Sequence, residues 1–102
     1  MGLFSRGYRS VSAPDAKELV EAGHTLVDVR SDKEWEEGHV EGAVHLPLPE
    51  LGSRLGELPA GTPIVAVCHT GIRSALAARK LAKHGYPVMN LRGGMIAWNR
   101  VR

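Results

Sequence analysis

The chain has 102 residues, of which 43% are hydrophobic, and a formal net charge of +2 at pH 7. This length fits one domain over residues 1–102, and the apolar runs fall far short of the roughly 20 residues of a membrane-spanning helix. Basic and acidic side chains are interspersed, so we expect neither a nucleic-acid nor a membrane partner. The one cysteine excludes an internal disulfide, a paired-cysteine zinc site and a redox pair within the chain.

The first elements follow a clear order along the N-terminal half. The first ten residues lack the apolar stretch and cleavage site of a secretory signal, so we expect a cytoplasmic protein in which residues 1–10 are loosely ordered. Ser12 can cap a first helix that ends at Gly23. Residues 25–29 (TLVDV) predict a buried strand, and residues 31–38 (SDKEWEEG) a short helical turn.

The second half continues the alternation of strands and helices. After a loop with a brief strand, a short helix carries on one side Leu51, Leu55 and Leu58. Residues 63–67 (PIVAV) form an apolar run suited to the middle of a sheet covered on both faces. In the next helix, the residues we predict to face the core are Ile72, Ala75, Leu76 and Ala82. A strand over residues 87–91 and a closing helix with buried Ile96 and Trp98 complete an α/β pattern with a mainly parallel sheet.

The only cysteine, Cys68, lies where the central strand ends and the next helix is about to begin. In open α/β sheets, ligands bind just outside the carboxyl ends of the strands. Only HTGI separates Cys68 from Arg73, so the chain must turn tightly, and Gly71 supplies the backbone freedom for that turn. Such a loop directs backbone N–H groups inward at the positive end of a helix, which predicts a cradle for an anion.

A free cysteine has a pKa of about 8.5, which helix N-termini and nearby cations depress to roughly 3.5–7.5. Arg73 adds a permanent positive charge to this loop. The alternative is that Cys68 is one more small buried hydrophobe at a strand end. The neighbours favour a nucleophile, because a purely structural strand end does not require the set His69, Thr70, Gly71, Arg73 and Ser74.

CHTGIRS resembles the active-site loop of rhodanese-type sulfurtransferases, Cys-x-x-Gly-x-Arg-Ser. Three further segments resemble motifs of that family in the same order, and they are LVDVR (26–30), EWEEGHVEGAVHLP (34–47) and LRGGMIAW (91–98). The resemblance covers about residues 12–98. It implies a three-layer α/β fold, in which a central, mainly parallel sheet is flanked by helices on both faces.

The resemblance also implies sulfane sulfur transfer through a persulfide on Cys68. The donor would be a small anion, thiosulfate or a persulfide, and the acceptor cyanide, a thiol or a sulfur-relay protein. The donor and the persulfide would be held by a loop of His69, Thr70, Gly71, Ile72 and Arg73, with its N–H groups on the sulfur. A cycle in two stages predicts ping-pong kinetics. We expect neither a metal nor an organic cofactor.

The remaining residues of the motifs receive supporting roles. Asp28 is predicted to accept backbone or arginine hydrogen bonds, and Arg30 to pair with a carboxylate such as Glu34. Ser74 opens the helix behind the loop, and His69 is expected to influence the substrate modestly. The residues we interpret as structural are His39, Gly93, Gly94 and Trp98.

Two other classes of function share this fold. Related cell-cycle phosphatases have five residues between the loop cysteine and arginine, whereas this chain has four, a tighter ring that favours sulfur over a phosphoryl group. Arsenate reduction by a similar loop is a weaker variant of the same idea. A non-catalytic binding or regulatory module is the main alternative, although such domains commonly lack the cysteine that this chain keeps.

Overall fold

The computed structural model describes residues 7–101. Within this range the strands and α-helices are, in chain order, β1 (Arg9–Val11), α1 (Ala13–Glu21), β2 (Thr25–Asp28), α2 (Asp32–Glu36), β3 (Val44–His45), α3 (Leu51–Arg54), β4 (Ile64–Val67), α4 (Ile72–Lys83), β5 (Val88–Leu91) and α5 (Gly94–Arg100). Short 3-10 turns flank α3. None of the helices in the described range is long and apolar enough to cross a membrane.

The five strands form one sheet in the order β1-β5-β4-β2-β3, and every neighbouring pair is parallel. β4 lies at its centre and is buried at all four positions, because alternate side chains point to opposite faces and both faces are covered. Ile64 and Ala66 pack under α3 and α4, while Val65 and Val67 pack under α1 and α5. The predicted three-layer α/β fold is confirmed.

The N-terminal segment differs from expectation. We expected residues 1–10 to be loosely ordered, but Arg9 and Ser10 belong to β1, which pairs with β5 at the sheet edge. A strand of three residues leaves too short an alternation of apolar and polar positions to be recognised in a sequence. Residues 1–6 lie outside the described range.

The buried face of α4 is only in part the one we predicted, because Ala82 packs against the core but Ile72 and Leu76 do not. Ile72 and Leu76 are 74% and 55% exposed, and the residues that α4 buries are Ser74, Ala77, Ala78 and Leu81. The error came from counting apolar residues alone, which leaves out Ser74. This serine opens the buried side because its hydroxyl has a polar partner in the core, Asn90. In α5, similarly, Ile96 is exposed and Trp98 half-buried, whereas Met95 is buried.

Candidate active site

The segments that follow three neighbouring parallel strands meet at the carboxyl edge of the sheet. Cys68 comes directly after β4, Asp28 ends β2, and Gly93 lies in the turn after β5. The structure therefore brings to one edge all the site residues predicted from the sequence, which are Cys68, the loop of residues 69–73, Ser74, Asp28 and Arg30. This is the edge at which open α/β sheets bind their ligands.

The thiol of Cys68 is enclosed by the loop that follows it. Cys68 is only 1% exposed, and the N–H of Gly71 donates a hydrogen bond to its Sγ over 3.1 Å. Gly71 has a φ of +109°, in the left-handed region that favours glycine, and α4 begins at the next residue. The predicted turn at Gly71 is confirmed, and it directs the amide inward at the sulfur.

The loop lowers the pKa of Cys68 below its usual value, although burial of the thiol is the largest single influence and raises that pKa. Hydrogen bonding to the sulfur lowers the pKa, and these contributions together outweigh the effect of burial. The largest comes from the Ser74 hydroxyl, followed by the amides of Ser74, Gly71 and Thr70. The donors thus include Ser74, beyond the loop that we predicted to hold the sulfur. In contrast, His69, Thr70 and Ile72 are exposed.

Arg73 points toward α2, where it forms a bidentate ion pair with Glu34. Its Nη1 and Nη2 lie 2.6 and 2.8 Å from the Glu34 Oε1 and Oε2 atoms. The Ser31 amide donates to Oε1 over 3.0 Å and the Glu34 amide donates to Ser31 Oγ over 3.2 Å, which together form the capping box of α2, and the Ser31 hydroxyl also donates to Oε1 over 3.0 Å. Glu34 therefore fixes the start of α4 to the start of α2. The Arg73 charge remains close enough to interact with the Cys68 thiolate.

Asp28 and Arg30 form a second, buried ion pair beneath the loop. Arg30 Nε lies 3.0 Å from both Asp28 oxygens, Nη2 lies 2.8 Å from Oδ2, and the Arg30 amide donates to Oδ1 over 3.0 Å. Nη2 also donates to the Gly38 carbonyl over 2.8 Å. The predicted role of Asp28 as an acceptor is confirmed. Arg30 pairs with a carboxylate, as predicted, but its partner is Asp28 and not Glu34, which binds Arg73.

The Arg73–Glu34 pair predicts a specific loss of stability in acid. Hydrogen bonding to Arg73 is the main cause that lowers the pKa of Glu34 from 4.5 to about 2. A carboxylate with a depressed pKa stabilises the fold above about pH 4.5, and that contribution is lost as the pH falls toward 2. Glu34→Gln should therefore cost about 1 kcal/mol at pH 7, since water screens a pair in which the Arg73 side chain is 37% exposed.

Urea unfolding of the wild type and Glu34→Gln at pH 7, 5 and 3 would check this prediction. The two proteins should differ most at pH 7 and converge toward pH 3. Glu36→Gln, which alters an exposed glutamate of the same helix, is the matched control. A difference that stays constant over this pH range would contradict the assigned role of the Glu34 carboxylate.

A cleft of about 600 Å³ opens beside the loop, and its lining includes Arg30, His39, His69, Ile96 and Trp98. His39 stacks on Trp35 with ring centroids 3.5 Å apart, and its Nδ1 lies 2.8 Å from the Trp35 carbonyl oxygen. On the same indole, His45 stacks with a centroid distance of 4.5 Å. These contacts agree with the structural role predicted for His39. His69 belongs both to the cysteine loop and to the lining of this cleft, so the cleft lies next to the loop.

The structure also identifies residues that the sequence reasoning missed. The Met95 and Ile96 amides at the start of α5 donate to the carbonyl oxygens of Cys68 and His69 over 2.8 and 3.3 Å. A Cβ on Gly94 would overlap those same two oxygens. We interpreted Gly94 only as a structural residue, and the structure shows that its role is to permit a backbone-to-backbone contact. Asn90, the partner of Ser74, was not singled out, because one polar residue in an apolar strand gave no sign of its partner.

Comparison with known proteins agrees with this architecture. A family model described as "Rhodanese-like domain" matches residues 12–101. The chain is 32% identical over 94 residues to the thiosulfate sulfurtransferase GlpE of Shewanella oneidensis, covering 90% of this chain and 93% of GlpE. It is 41% identical over 76 residues to a sulfurtransferase of Allochromatium vinosum, covering 74% of this chain and 71% of that protein.

A solved structure, that of a rhodanese-related protein from Thermoplasma volcanium, superimposes with a TM-score of 0.84 at 30% identity, covering 90% of this chain and 91% of the other. Some relatives are longer, and the chain spans 49% of YrkF from Bacillus subtilis, to which it is 38% identical over 91 residues. Fold and site together define an α/β domain with a tight cysteine loop at the carboxyl edge of its parallel sheet. The chain belongs to the rhodanese-like domain family, as its sequence motifs predicted, and its relatives include sulfurtransferases.

Proposed function

We propose that this protein transfers sulfane sulfur from thiosulfate or a persulfide donor to a thiol or cyanide, through a persulfide on Cys68. One observation carries the proposal: the buried Sγ accepts a hydrogen bond from the Gly71 amide, in a loop whose donors lower the pKa of the thiol despite its burial. A structural cysteine in an apolar core would instead have a raised pKa. These features favour the thiolate, which is the form that attacks a sulfur donor.

The transfer takes two steps. In the first, the Cys68 thiolate attacks the outer sulfur of thiosulfate, an S–S bond forms to Sγ, and the S–S bond of thiosulfate breaks. Its electron pair leaves with sulfite. In the second step an acceptor thiolate or cyanide attacks the same outer sulfur, and the electron pair of the bond to Sγ returns to Cys68. Sulfur enters and leaves at one atom, so ping-pong kinetics are expected.

The loop amides supply electrostatic stabilisation. The outer sulfur of a persulfide carries a negative charge, and preorganised N–H donors stabilise such a charge without reorganisation. Arg73 and Glu34 hold the loop in place, because their ion pair joins α4 to α2 across 39 residues of sequence. We assign to Arg73 this positioning role together with a favourable charge near the donor anion.

The acceptor comes from outside the chain, because Cys68 is its only cysteine. A small anion or the slender end of a persulfide suits a thiol that is 1% exposed. A protein acceptor in a sulfur relay fits the same chemistry, and the name of the relative YrkF refers to a sulfur carrier. A cytoplasmic setting suits this mechanism, because a lone reactive thiol stays reduced there.

Mass spectrometry of the intact protein after incubation with thiosulfate tests the proposal. The wild type should gain one sulfur atom, and Cys68→Ser should gain none. With cyanide as acceptor, the rate of thiocyanate formation should fall by at least about 10³-fold in Cys68→Ser. A panel of thiosulfate and glutathione persulfide, compared by kcat/KM, identifies the preferred donor.

Two outcomes would contradict the proposal. Uptake of sulfur by Cys68→Ser equal to that of the wild type would exclude a persulfide on Cys68. A wild type that gains no sulfur from any donor of the panel would instead indicate a binding module. A p-nitrophenyl phosphate assay on the same preparation tests the phosphatase alternative, for which the four-residue spacing between Cys68 and Arg73 is unfavourable.

A further inference from the structure

A buried polar pair lies behind the cysteine loop. Ser74 in α4 is fully buried, and Asn90 in β5 is 5% exposed. The Ser74 hydroxyl donates to Asn90 Oδ1 over 2.5 Å, and Asn90 Nδ2 donates to the Gly71 carbonyl over 3.3 Å. Both ends of the Asn90 amide are therefore committed, one to the helix and one to the loop that encloses Cys68.

Chemistry fixes the direction of these hydrogen bonds. The Gly71 carbonyl can only accept, so the NH2 group of Asn90 must face it. Oδ1 of Asn90 then faces Ser74, and because Oδ1 can only accept, the hydrogen must come from the Ser74 hydroxyl. Hydrogen bonding from the same hydroxyl also lowers the pKa of the Cys68 thiol, which makes Sγ its second acceptor. The hydroxyl has one hydrogen and two acceptors.

The charge on the sulfur decides between these acceptors. A neutral Cys68 thiol can donate its own hydrogen to the Ser74 oxygen, while the hydroxyl donates to Asn90. A thiolate has no hydrogen to donate and attracts the hydroxyl hydrogen, since hydrogen bonds to ionised acceptors are the stronger ones. The hydroxyl then turns from Asn90 to the sulfur.

We infer that Asn90 is a positioning residue that acts through Ser74. Asn90 is the alternative acceptor for the Ser74 hydroxyl. The hydroxyl donates to Cys68 when the sulfur is ionised and to Asn90 when the sulfur is neutral. The role of this hydroxyl in sulfur transfer rests on the proposed function. Sγ is ionised before the donor arrives and is a neutral bridging sulfur once the outer sulfur is attached. The buried hydroxyl keeps a partner in both states.

The pH dependence of alkylation by iodoacetamide tests the inference, because Cys68 is the only thiol in the chain. Asn90→Leu removes the competing acceptor and leaves the Ser74 hydrogen to the thiolate. The apparent pKa of Cys68 should therefore fall by about half a unit to one unit, the equivalent of one net hydrogen bond. Ser74→Ala removes the donor and should raise the apparent pKa.

The double variant distinguishes this role from a structural one. In a Ser74→Ala background, Asn90→Leu should no longer lower the apparent pKa. An equal fall in both backgrounds, or a rise in the single variant, would overturn the inference. The titratable and charged groups around the loop are Arg73 on α4 with its partner Glu34 on α2, Asp28 at the end of β2 with its partner Arg30, and His69 in the loop itself, and the variants leave all of them in place.

A measurement on the wild type covers the case in which these variants fail to fold. The chain has two asparagines and no glutamine, so its side-chain amide NMR signals belong to Asn90 and Asn99. The Asn90 amide should shift with the midpoint found by alkylation, whereas Asn99, exposed on α5, serves as reference. An Asn90 signal that does not titrate would overturn the inference. Neither method uses a sulfur donor, so a failure of sulfur uptake would contradict the proposed function alone.

Discussion

Replacing Gly94 with alanine should lower the free energy of unfolding by about 3 kcal/mol, at the upper end of the range for overpacked sites. The added Cβ would overlap the carbonyl oxygens of Cys68 and His69, which are rigid backbone atoms. Gly94 also has a φ of +58°, where a side chain is disfavoured. The hydrogen bonds that α5 donates to those carbonyls would have to lengthen or break, so the cysteine loop would lose its support.

Urea unfolding measures this effect, and Gly56→Ala is the matched control. Gly56 is exposed, and a methyl group added there would meet no atom within 4 Å, so alanine should change stability by less than about 0.5 kcal/mol. In the fraction of Gly94→Ala that remains folded, we expect slower sulfur uptake at Cys68. An unfolding midpoint equal to that of the wild type would show that α5 and the loop can separate without cost.

Replacing Asp28 with alanine should destabilise the protein by about 3–5 kcal/mol, the usual cost of removing one partner from a buried ion pair. Asp28 is 1% exposed and its partner Arg30 is 6% exposed, so the guanidinium would remain buried without its carboxylate. Of the acceptors that Arg30 has within residues 7–101, the Gly38 carbonyl would remain. The single change therefore removes the neutralising charge and leaves the buried cation in place.

The double variant Asp28→Ala/Arg30→Met separates the loss of the pair from the burial of an unpaired charge. It should be more stable than Asp28→Ala alone, because the second change removes the uncompensated cation. Glu57→Ala is the control, since it breaks an exposed pair with Arg54 and should shift the urea midpoint little. Additive losses in the double variant would contradict a coupled buried pair.

The sequence was sufficient to predict the layers of this fold and the position of its site. Continuous apolar runs in β2 and β4 and the turn at Gly71 are local signals, and they predicted the correct order of elements. The family resemblance then indicated which loop contains the reactive thiol. Both sources describe residues in sequence order, and both worked where neighbours in sequence decide the structure.

Partners distant in sequence could not be predicted in the same way. We named Glu34 as a possible partner of Arg30, and only the three-dimensional arrangement shows that Glu34 binds Arg73. The buried face of α4 depends on Ser74, whose polarity is compatible with burial only because Asn90 lies opposite. The contact at Gly94 likewise involves the backbone of the cysteine loop, which lies before α4 in the chain. A pair of glycines in the sequence does not indicate which backbone they contact.

The contacts of α5 also determine how the peptide groups of the cysteine loop are polarised. Three of the loop carbonyls are turned away from the sulfur: those of Cys68 and His69 accept from the Met95 and Ile96 amides, and that of Gly71 accepts from Asn90 and from the Ala75 amide. The negative ends of these peptide dipoles thus point outward, and their positive ends are left for the centre. The helix α5 does not bind the sulfur, but its amides bind two carbonyl oxygens of the loop. It therefore helps to orient the peptide dipoles of the loop with their positive ends toward the sulfur.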